Sequence, residues 1–274
     1  MISDHLGHHG VVRRIAVWPS TDEHLVAVQR ALAEEAEAEV GAHPWSSGRP
    51  PAIGGCFVAF ARGEAGPGRP GDRAWAAAVV WRAESSPPHR GRRVDHHLRG
   101  VPAVEGPRRA DDVLTQEVAA QRVPAAYVPS MLARREGPVL ADAVLALDPV
   151  PDVLLVDSTG IDHPRRAGLA VHLGAVAGIA TVGVTQHPLV ASGEEPDLRR
   201  GAMTPVRVDD QLAGFCVCTK TGARPVVAHA GWRTTPEIAA ATVLAASTDA
   251  ARTPVPLQEA RRVAREARAL AGAG

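Results

Sequence analysis

The feature that most constrains this chain is a short apolar run that ends in an acidic residue. Residues Val153–Val156 are all apolar, and both ends of the run are β-branched. Such a run is typical of a strand buried on both faces of a sheet. Asp157 follows it directly, and open α/β sheets place their chemistry at the carboxyl ends of strands. The pattern fits two roles for Asp157, a functional carboxylate and a residue that caps the next turn.

Strand and helix patterns surround this run. We predict further strands at 11–18, 53–60, 74–81, 113–123, 179–184, 211–219 and 225–229. Helical spacing predicts helices from about residue 20 to Gly41 and over 131–145, 167–177, 235–247 and 256–271. Hairpins come first and βα units follow, which predicts one mixed α/β sheet with helices on its faces. We expect a single domain over 21–271, after an N-terminal extension at 1–20.

Composition narrows the classes of protein. The 274 residues include 30 basic and 30 acidic side chains, so binding to nucleic acid by net charge alone is disfavoured. A Pro-, Arg- and His-rich stretch at 85–112 is either a solvated loop or a basic contact surface. Three cysteines without a CxxC motif predict neither a disulfide framework nor a zinc site. No apolar run is long enough to span a membrane and no signal peptide is visible, so we expect a cytoplasmic protein.

The last predicted helix carries a row of basic residues. These are Arg261, Arg262, Arg265 and Arg268. Glu259 and Glu266 lie at neighbouring helical positions, and we expect the whole set to form a solvated, ion-paired face.

Four segments of the chain carry a resemblance to a known family. They are AYVPSMLARREGPVLADAVLAL at 126–147, PDVLLVDSTGIDHPRRAGLAVHLG at 151–174, TVGVTQHPL at 181–189 and RPVVAHAGWRTTPEIA at 224–239. In order and separation they resemble endonuclease V, whose members cut nucleic acid near deaminated purines, chiefly inosine. The second segment is similar to the family's Asp-Gly-x-Gly block with its His-Pro-Arg-Arg turn. The resemblance implies an RNase H-like fold with a mixed five-stranded sheet flanked by helices.

The resemblance also implies a mechanism and a set of site residues. Acidic side chains would hold Mg²⁺, which activates water and stabilises the charge that builds on phosphorus. Glu136 stands at the family's helix-borne metal ligand, Asp157 at the strand-borne ligand and His163 at the His of the His-Pro-Arg-Arg turn, and the resemblance implies that these three residues are catalytic. Substrate contacts are implied for two groups of residues. Tyr127, Val128 and Pro129 match the wedge that follows the third strand, and Ser158, Gly160 and Arg165 belong to the Asp157 turn, where Ser158 replaces a glycine near the base pocket.

Three polar positions of the family pattern have changed. Phe57 stands where the opening strand has its metal-binding Asp, and a shift of one residue would place Cys56 there instead. Gln186 replaces a lysine and Trp232 replaces a histidine. Neither Phe nor Cys is a magnesium ligand. We therefore expect cleavage at inosine to be weak or absent, and Mg²⁺ binding to be in doubt.

The changed residues leave three hypotheses open. In the first, the chain keeps a nucleic-acid groove, marked by Tyr127–Pro129 and the Arg165/Arg166 pair, but cuts weakly or not at all. In the second, the fold has been repurposed for a small-molecule or nucleotide substrate, with Phe57 and Trp232 as apolar walls of a cleft. The acids Glu136 and Asp157 would remain in that cleft, together with His163 and His172.

In the third hypothesis the nuclease is still active and another side chain replaces the lost ligand. Asp162 and His229 are two examples of side chains that could take its place.

Overall fold

The computed structural model describes residues 18–42, 51–61, 68–82 and 113–272. The predicted strand at 11–18, the extension at 1–20 and the stretch at 85–112 lie wholly or almost wholly outside these ranges. The described helices are α1 (Asp22–Ala42), α2 (Leu132–Leu145), α3 (Leu169–Ala177), α4 (Pro236–Ala245) and α5 (Val255–Gly272). The described strands are β1 (Ala52–Phe60), β2 (Arg73–Arg82), β3 (Val113–Arg122), β4 (Val153–Val156), β5 (Thr181–Thr185), β6 (Met203–Val208), β7 (Gln211–Val217) and β8 (Val226–Ala230).

The eight strands form one mixed sheet in the order β3-β2-β1-β4-β5-β8-β7-β6. Strands β1, β4 and β5 are parallel to one another, and the remaining neighbours pair antiparallel. The predicted mixed α/β class is confirmed, but the expected count of five strands is wrong. The first five strands form a continuous unit, and the hairpin strands β8, β7 and β6 extend it beyond β5. This extension satisfies backbone groups that an exposed β5 edge would leave unpaired.

The central strand β4 is buried on both faces, as its apolar run predicts. Leu154 and Val156 pack in a core cluster with residues of α2 and α3. Val153 and Leu155 pack on the opposite face, in a cluster with residues of α4 and with Leu257 of α5. Because side chains alternate along a strand, Asp157 continues the second series and emerges on the α5 side of the sheet.

Helix α5 lies against β1, and a glycine makes that approach possible. A Cβ at Gly55 would stand 2.4 Å from the carbonyl carbon of Pro256, so any larger residue would push the helix away. The helix begins beside the middle of β1 and reaches its end, where the Nη1 atom of Arg268 donates to the carbonyl oxygen of Phe60 at 3.3 Å. This packing brings the arginines of α5 over the carboxyl ends of β1 and β4.

Across the ranges that the structure covers, no helix combines the length and the apolar character that a membrane span needs.

Candidate functional site

Asp157 lies at the carboxyl end of β4, where its side chain meets Arg261 of α5. The Nη2 atom of Arg261 is 2.9 Å from each of the two carboxylate oxygens of Asp157. Both side chains are about one quarter exposed, so solvent screens the pair only in part. The sequence-based expectation that Arg261 belongs to a solvated face is therefore wrong. Arg262 does form the expected pairs, at 2.9 Å to Glu259 and 2.8 Å to Glu266.

Phe57 lies on the same side of the sheet as Asp157. Strand pairing sets Cys56 opposite Val156, and the same register continued by one residue sets Phe57 beside Asp157. The guanidinium carbon of Arg261 lies 5.4 Å from the centre of the Phe57 ring, and that of Arg265 lies 5.8 Å from it. The ring thus lies beside two cations, of which Arg261 reaches Asp157 at the end of β4.

Glu136 approaches the end of the sheet from the other side, on helix α2. Burial is the main cause that raises the pKa of its carboxyl to about 7; the nearby Arg135 lowers the pKa and Asp157 raises it. The Cys56 thiol is fully buried on this side of β1. Its pKa is raised by burial first and then by the charges of Asp157 and Glu136. The two acids and the thiol are therefore close enough to influence one another.

A resident divalent cation does not fit the side chains that surround Asp157. Both Asp157 oxygens already accept from Arg261, and the neighbouring position on β1 is the phenyl ring of Phe57. Magnesium prefers several oxygen ligands at short distance. Within the residues that the structure describes, no group of three or more His, Cys, Asp or Glu side chains could hold a metal ion. The guanidinium group supplies the positive charge that faces Asp157 in this arrangement.

Trp232 does not line a cleft. Its side chain is completely buried and packs with residues of α1 and α3, among them Leu32 and Val171. Its backbone N–H donates to the Thr181 hydroxyl at 2.8 Å. The second hypothesis relied on Trp232 as an apolar wall beside the acids, and this premise is wrong. Gln186 is exposed, directly after the end of β5.

His163 and Arg165 point inward, towards the segment that precedes α2. His163 Nε2 lies 3.0 Å from the Ser130 carbonyl oxygen, and its Nδ1 accepts from the Arg165 backbone N–H at 3.2 Å. The ring therefore carries its proton on Nε2, and burial is the main cause that lowers its pKa to about 4. Arg165 Nη2 donates to the same carbonyl oxygen at 2.7 Å, and its Nε donates to Gln29 at 2.6 Å. Both residues thus hold a loop in place, whereas His163 was expected to be catalytic and Arg165 to contact substrate.

The loop that these residues hold carries the predicted wedge. Tyr127 is 43% exposed and Val128 is 41% exposed, and Pro129 is also exposed. Ser130, at the end of the loop, has a φ of 59°, which is unusual for a residue other than glycine. The hydrogen bonds from His163 and Arg165 to the Ser130 carbonyl stabilise this conformation. These hydrogen bonds thus hold the apolar loop in a position that exposes it to solvent.

The Ser158 and Gly160 turn packs against the body of the sheet. Ser158 is buried, and a Cβ at Gly160 would stand 1.8 Å from the Ala230 carbonyl oxygen of β8. The Ile161 backbone N–H donates to that same oxygen at 2.8 Å. Glycine at this position is therefore required by the close approach of two backbone segments.

One buried network was not predicted as a unit. Asp162 is fully buried and accepts hydrogen bonds from the backbone N–H groups of Leu189, Val190 and Ala191 at 2.7–2.9 Å. His229 Nδ1 lies 3.5 Å from the Asp162 carboxylate, and His229 Nε2 lies 2.7 Å from the Thr185 hydroxyl. Burial lowers the His229 pKa and outweighs the nearby Asp162 carboxylate, which raises it, so the site favours a neutral ring.

This network also bears on the third hypothesis. Because the Asp162 carboxylate is used to hold residues 189–191, it is not available as a replacement metal ligand. His229 is fully buried beside it. The sequence offers one signal that Asp162 could hold residues 189–191. Asp162 precedes His163 directly, and His163 holds the other exposed loop, Tyr127–Pro129.

Comparisons with known proteins place this arrangement in context. A family model described as Endonuclease V matches residues 103–262. An endonuclease V from Streptomyces avermitilis is 32% identical over 234 residues, which cover 85% of this chain and 87% of that protein. An endonuclease V from Roseiflexus castenholzii is 39% identical over 136 residues, and the match spans 49% of this chain but only 61% of the relative's length.

Solved structures agree with the sequence matches. The crystal structure of the Streptomyces avermitilis endonuclease V superposes with a TM-score of 0.70 at 30% identity, covering 94% of this chain and 97% of that one. Endonuclease V of Ciona intestinalis, solved in complex with a 23mer DNA that contains an inosine, has a TM-score of 0.60 at 19% identity. That alignment covers 90% of this chain and 98% of the other, and it shows a shared fold.

Proposed function

The chain belongs to the endonuclease V family, and from this membership we propose that it binds inosine-containing nucleic acid but cleaves it weakly or not at all. The proposal has two parts, recognition and loss of cleavage, and each has its own support in the arrangement of side chains.

The contact between Arg261 and Asp157 is the main observation in support of the proposed loss of cleavage. Metal-assisted hydrolysis needs carboxylate oxygens that are free to hold the cation. A guanidinium on both oxygens competes with the cation, and the neighbouring Phe57 cannot supply a further ligand. Removing one electrostatic contributor to a transition state typically costs about 10²–10³ in rate. We expect the combined changes to leave little or no cleavage.

The exposed loop Tyr127–Pro129 supports retained recognition. Apolar side chains presented on a fixed loop can insert between bases and partly unstack them. His163 and Arg165 fix this loop through the Ser130 carbonyl oxygen. The Ciona intestinalis relative, crystallised with inosine-containing DNA, adds support from a protein of the same fold.

The first experiment tests recognition with matched variants. Binding of wild-type protein to labelled single strands with one deoxyinosine, and to otherwise identical strands with deoxyadenosine, is measured by fluorescence anisotropy. Tyr127→Ala/Val128→Ala should lose the preference for inosine, whereas Leu198→Ala, which truncates an equally exposed side chain away from the loop, should keep it. Equal affinity of the wild type for both strands would contradict the proposed recognition.

The second experiment tests cleavage on the same strands with Mg²⁺ or Mn²⁺. We expect the strands to remain uncut during incubations long enough for the bound complex to be readily detected. Efficient cleavage that Asp157→Ala abolishes would show that the site is active despite the Arg261 contact, and would contradict the second part of the proposal.

A further inference from the structure

A large cleft beside the candidate site is rich in arginine. It has a volume of about 950 Å³ and is lined by α5 from Gln258 to Gly272, by Ala61 after the end of β1 and by the start of β2. Its charged lining consists of five arginines and one glutamate: Arg73, Arg261, Arg262, Arg265, Arg268 and Glu266. The chain as a whole has no net charge, so this concentration of positive charge is local.

The arginines of α5 form a row along one side of the cleft. Arg261, Arg265 and Arg268 are four and three residues apart on α5, so they lie on one face of the helix. At 1.5 Å per residue they span roughly 10 Å along the helix axis. Arg73 comes from β2 and lines the same cleft. The result is a row of cations on α5 with a further cation from a second element, which suits an elongated anion.

Three of these arginines lie over aromatic rings. The guanidinium carbon of Arg73 lies 4.8 Å from the centre of a ring of Trp75, and those of Arg261 and Arg265 lie 5.4 Å and 5.8 Å from the centre of the Phe57 ring. A guanidinium stacked on a ring keeps its N–H groups at the edge, in the plane where they can bind phosphate oxygens. Stacking also restricts the side chain before a ligand arrives.

Arg261 joins the cleft to the candidate site, because it lines the cleft and also donates to Asp157. We infer that the arginine cleft binds the phosphate groups of a nucleic-acid strand that continues past the end of β4. The inference rests on the proposed function, and it adds a binding surface on the α5 side of the sheet. A phosphate contact here would position the strand without selecting its sequence.

The test is the salt dependence of strand binding. Each phosphate contact to a single strand contributes about −0.7 to the slope of log K against log salt concentration. Arg73→Gln/Arg265→Gln should therefore reduce the magnitude of the slope by about 1.4. It should weaken binding of inosine and control strands by the same factor. Arg207→Gln is the matched control, because Arg207 is exposed on β6 at the opposite edge of the sheet.

The outcomes separate this inference from the proposed function. A reduced slope in the double variant alone, with the inosine preference unchanged, supports the inference. An unchanged slope in a variant that still prefers inosine overturns the inference and leaves the proposed function standing. If the wild type binds all strands equally and the double variant still loses slope, the cleft binds phosphate but the proposed recognition fails. Both variants remove exposed side chains, and circular dichroism confirms that they are folded.

Discussion

Arg261 Nη2 lies 2.9 Å from both carboxylate oxygens of Asp157, although the two residues are 104 positions apart in the chain. The contact exists because α5 packs closely on β1 at Gly55, which carries Arg261 to the end of β4. A carboxylate at the end of a parallel strand is thus paired with a permanent cation from the protein itself. A divalent metal that binds Asp157 would have to displace this guanidinium from both carboxylate oxygens.

Replacing Arg261 should expose Asp157 to divalent cations. We expect Arg261→Gln to be stabilised by millimolar Mn²⁺ more than the wild type is, because the amide cannot neutralise the carboxylate. The shift in Tm on addition of Mn²⁺, followed by differential scanning fluorimetry, measures the difference.

The double variant Arg261→Gln/Asp157→Asn is the control for this experiment. It should lose the added stabilisation if Asp157 is the ligand. The same Mn²⁺ shift in wild type and Arg261→Gln would show that the guanidinium does not block the carboxylate.

An acid should be tolerated at position 57 and not at position 56. Phe57 lies under Arg261 and Arg265, so a carboxylate there has two cations nearby, and we expect Phe57→Asp to cost about 1–2 kcal/mol. Cys56 is fully buried near Glu136 and Asp157, and an added charge there should cost roughly 3–5 kcal/mol. Urea denaturation measures both values. Equal losses of unfolding free energy would mean that the two faces of β1 tolerate a carboxylate equally well.

The Glu136 carboxyl should make stability depend on pH. Its pKa is raised from 4.5 to about 7, mainly by burial, so between these values the folded state holds a proton that the unfolded chain has released. Stability should therefore fall as pH rises from about 4.5 to 7, by roughly 2–3 kcal/mol relative to Glu136→Gln. The difference in unfolding free energy between wild type and variant at pH 5 and pH 8 measures the effect. A constant difference would contradict the raised pKa.

Gly160 should not accept a methyl group. Its Cβ would lie 1.8 Å from the Ala230 carbonyl oxygen, so Gly160→Ala must displace either the Asp157 turn or β8. We expect a loss of more than about 3 kcal/mol, seen as a large drop in Tm. Gly272→Ala is the control, because nothing lies within 4 Å of the added carbon. A small effect at Gly160 would mean that the turn can shift freely.

The sequence predicts the parts of this protein that depend on local pattern. The apolar run before Asp157 predicts β4, and helical spacing predicts α2 with Glu136 on it. Strand β6 was not predicted, because Pro205 lies in the middle of a run of only six residues and proline is a poor strand signal. Proline is tolerated there because β6 is the edge strand of the sheet.

Contacts between distant segments could not be predicted from pattern. Whether Arg261 faces solvent or Asp157 depends on how α5 packs against β1. The inward direction of Arg165 depends on a loop more than 30 residues earlier in the chain. Trp232 could be assigned to a family position, but the pocket between α1 and α3 that encloses it is a property of the folded chain.

Asp162 should be important for stability through the loop that it holds. Its carboxylate accepts from three backbone N–H groups, and Asp162→Ala would leave these donors to solvent or without a partner. Since an unsatisfied buried donor costs about 1–3 kcal/mol, we expect a total loss of roughly 3 kcal/mol after partial hydration of the loop. Urea denaturation measures the loss, and hydrogen exchange should show faster exchange at Leu189, Val190 and Ala191. Glu194→Ala, an exposed acid in the following segment, should change stability by less than about 0.5 kcal/mol. Unchanged exchange at residues 189–191 in the Asp162 variant would mean that the loop is held by other contacts.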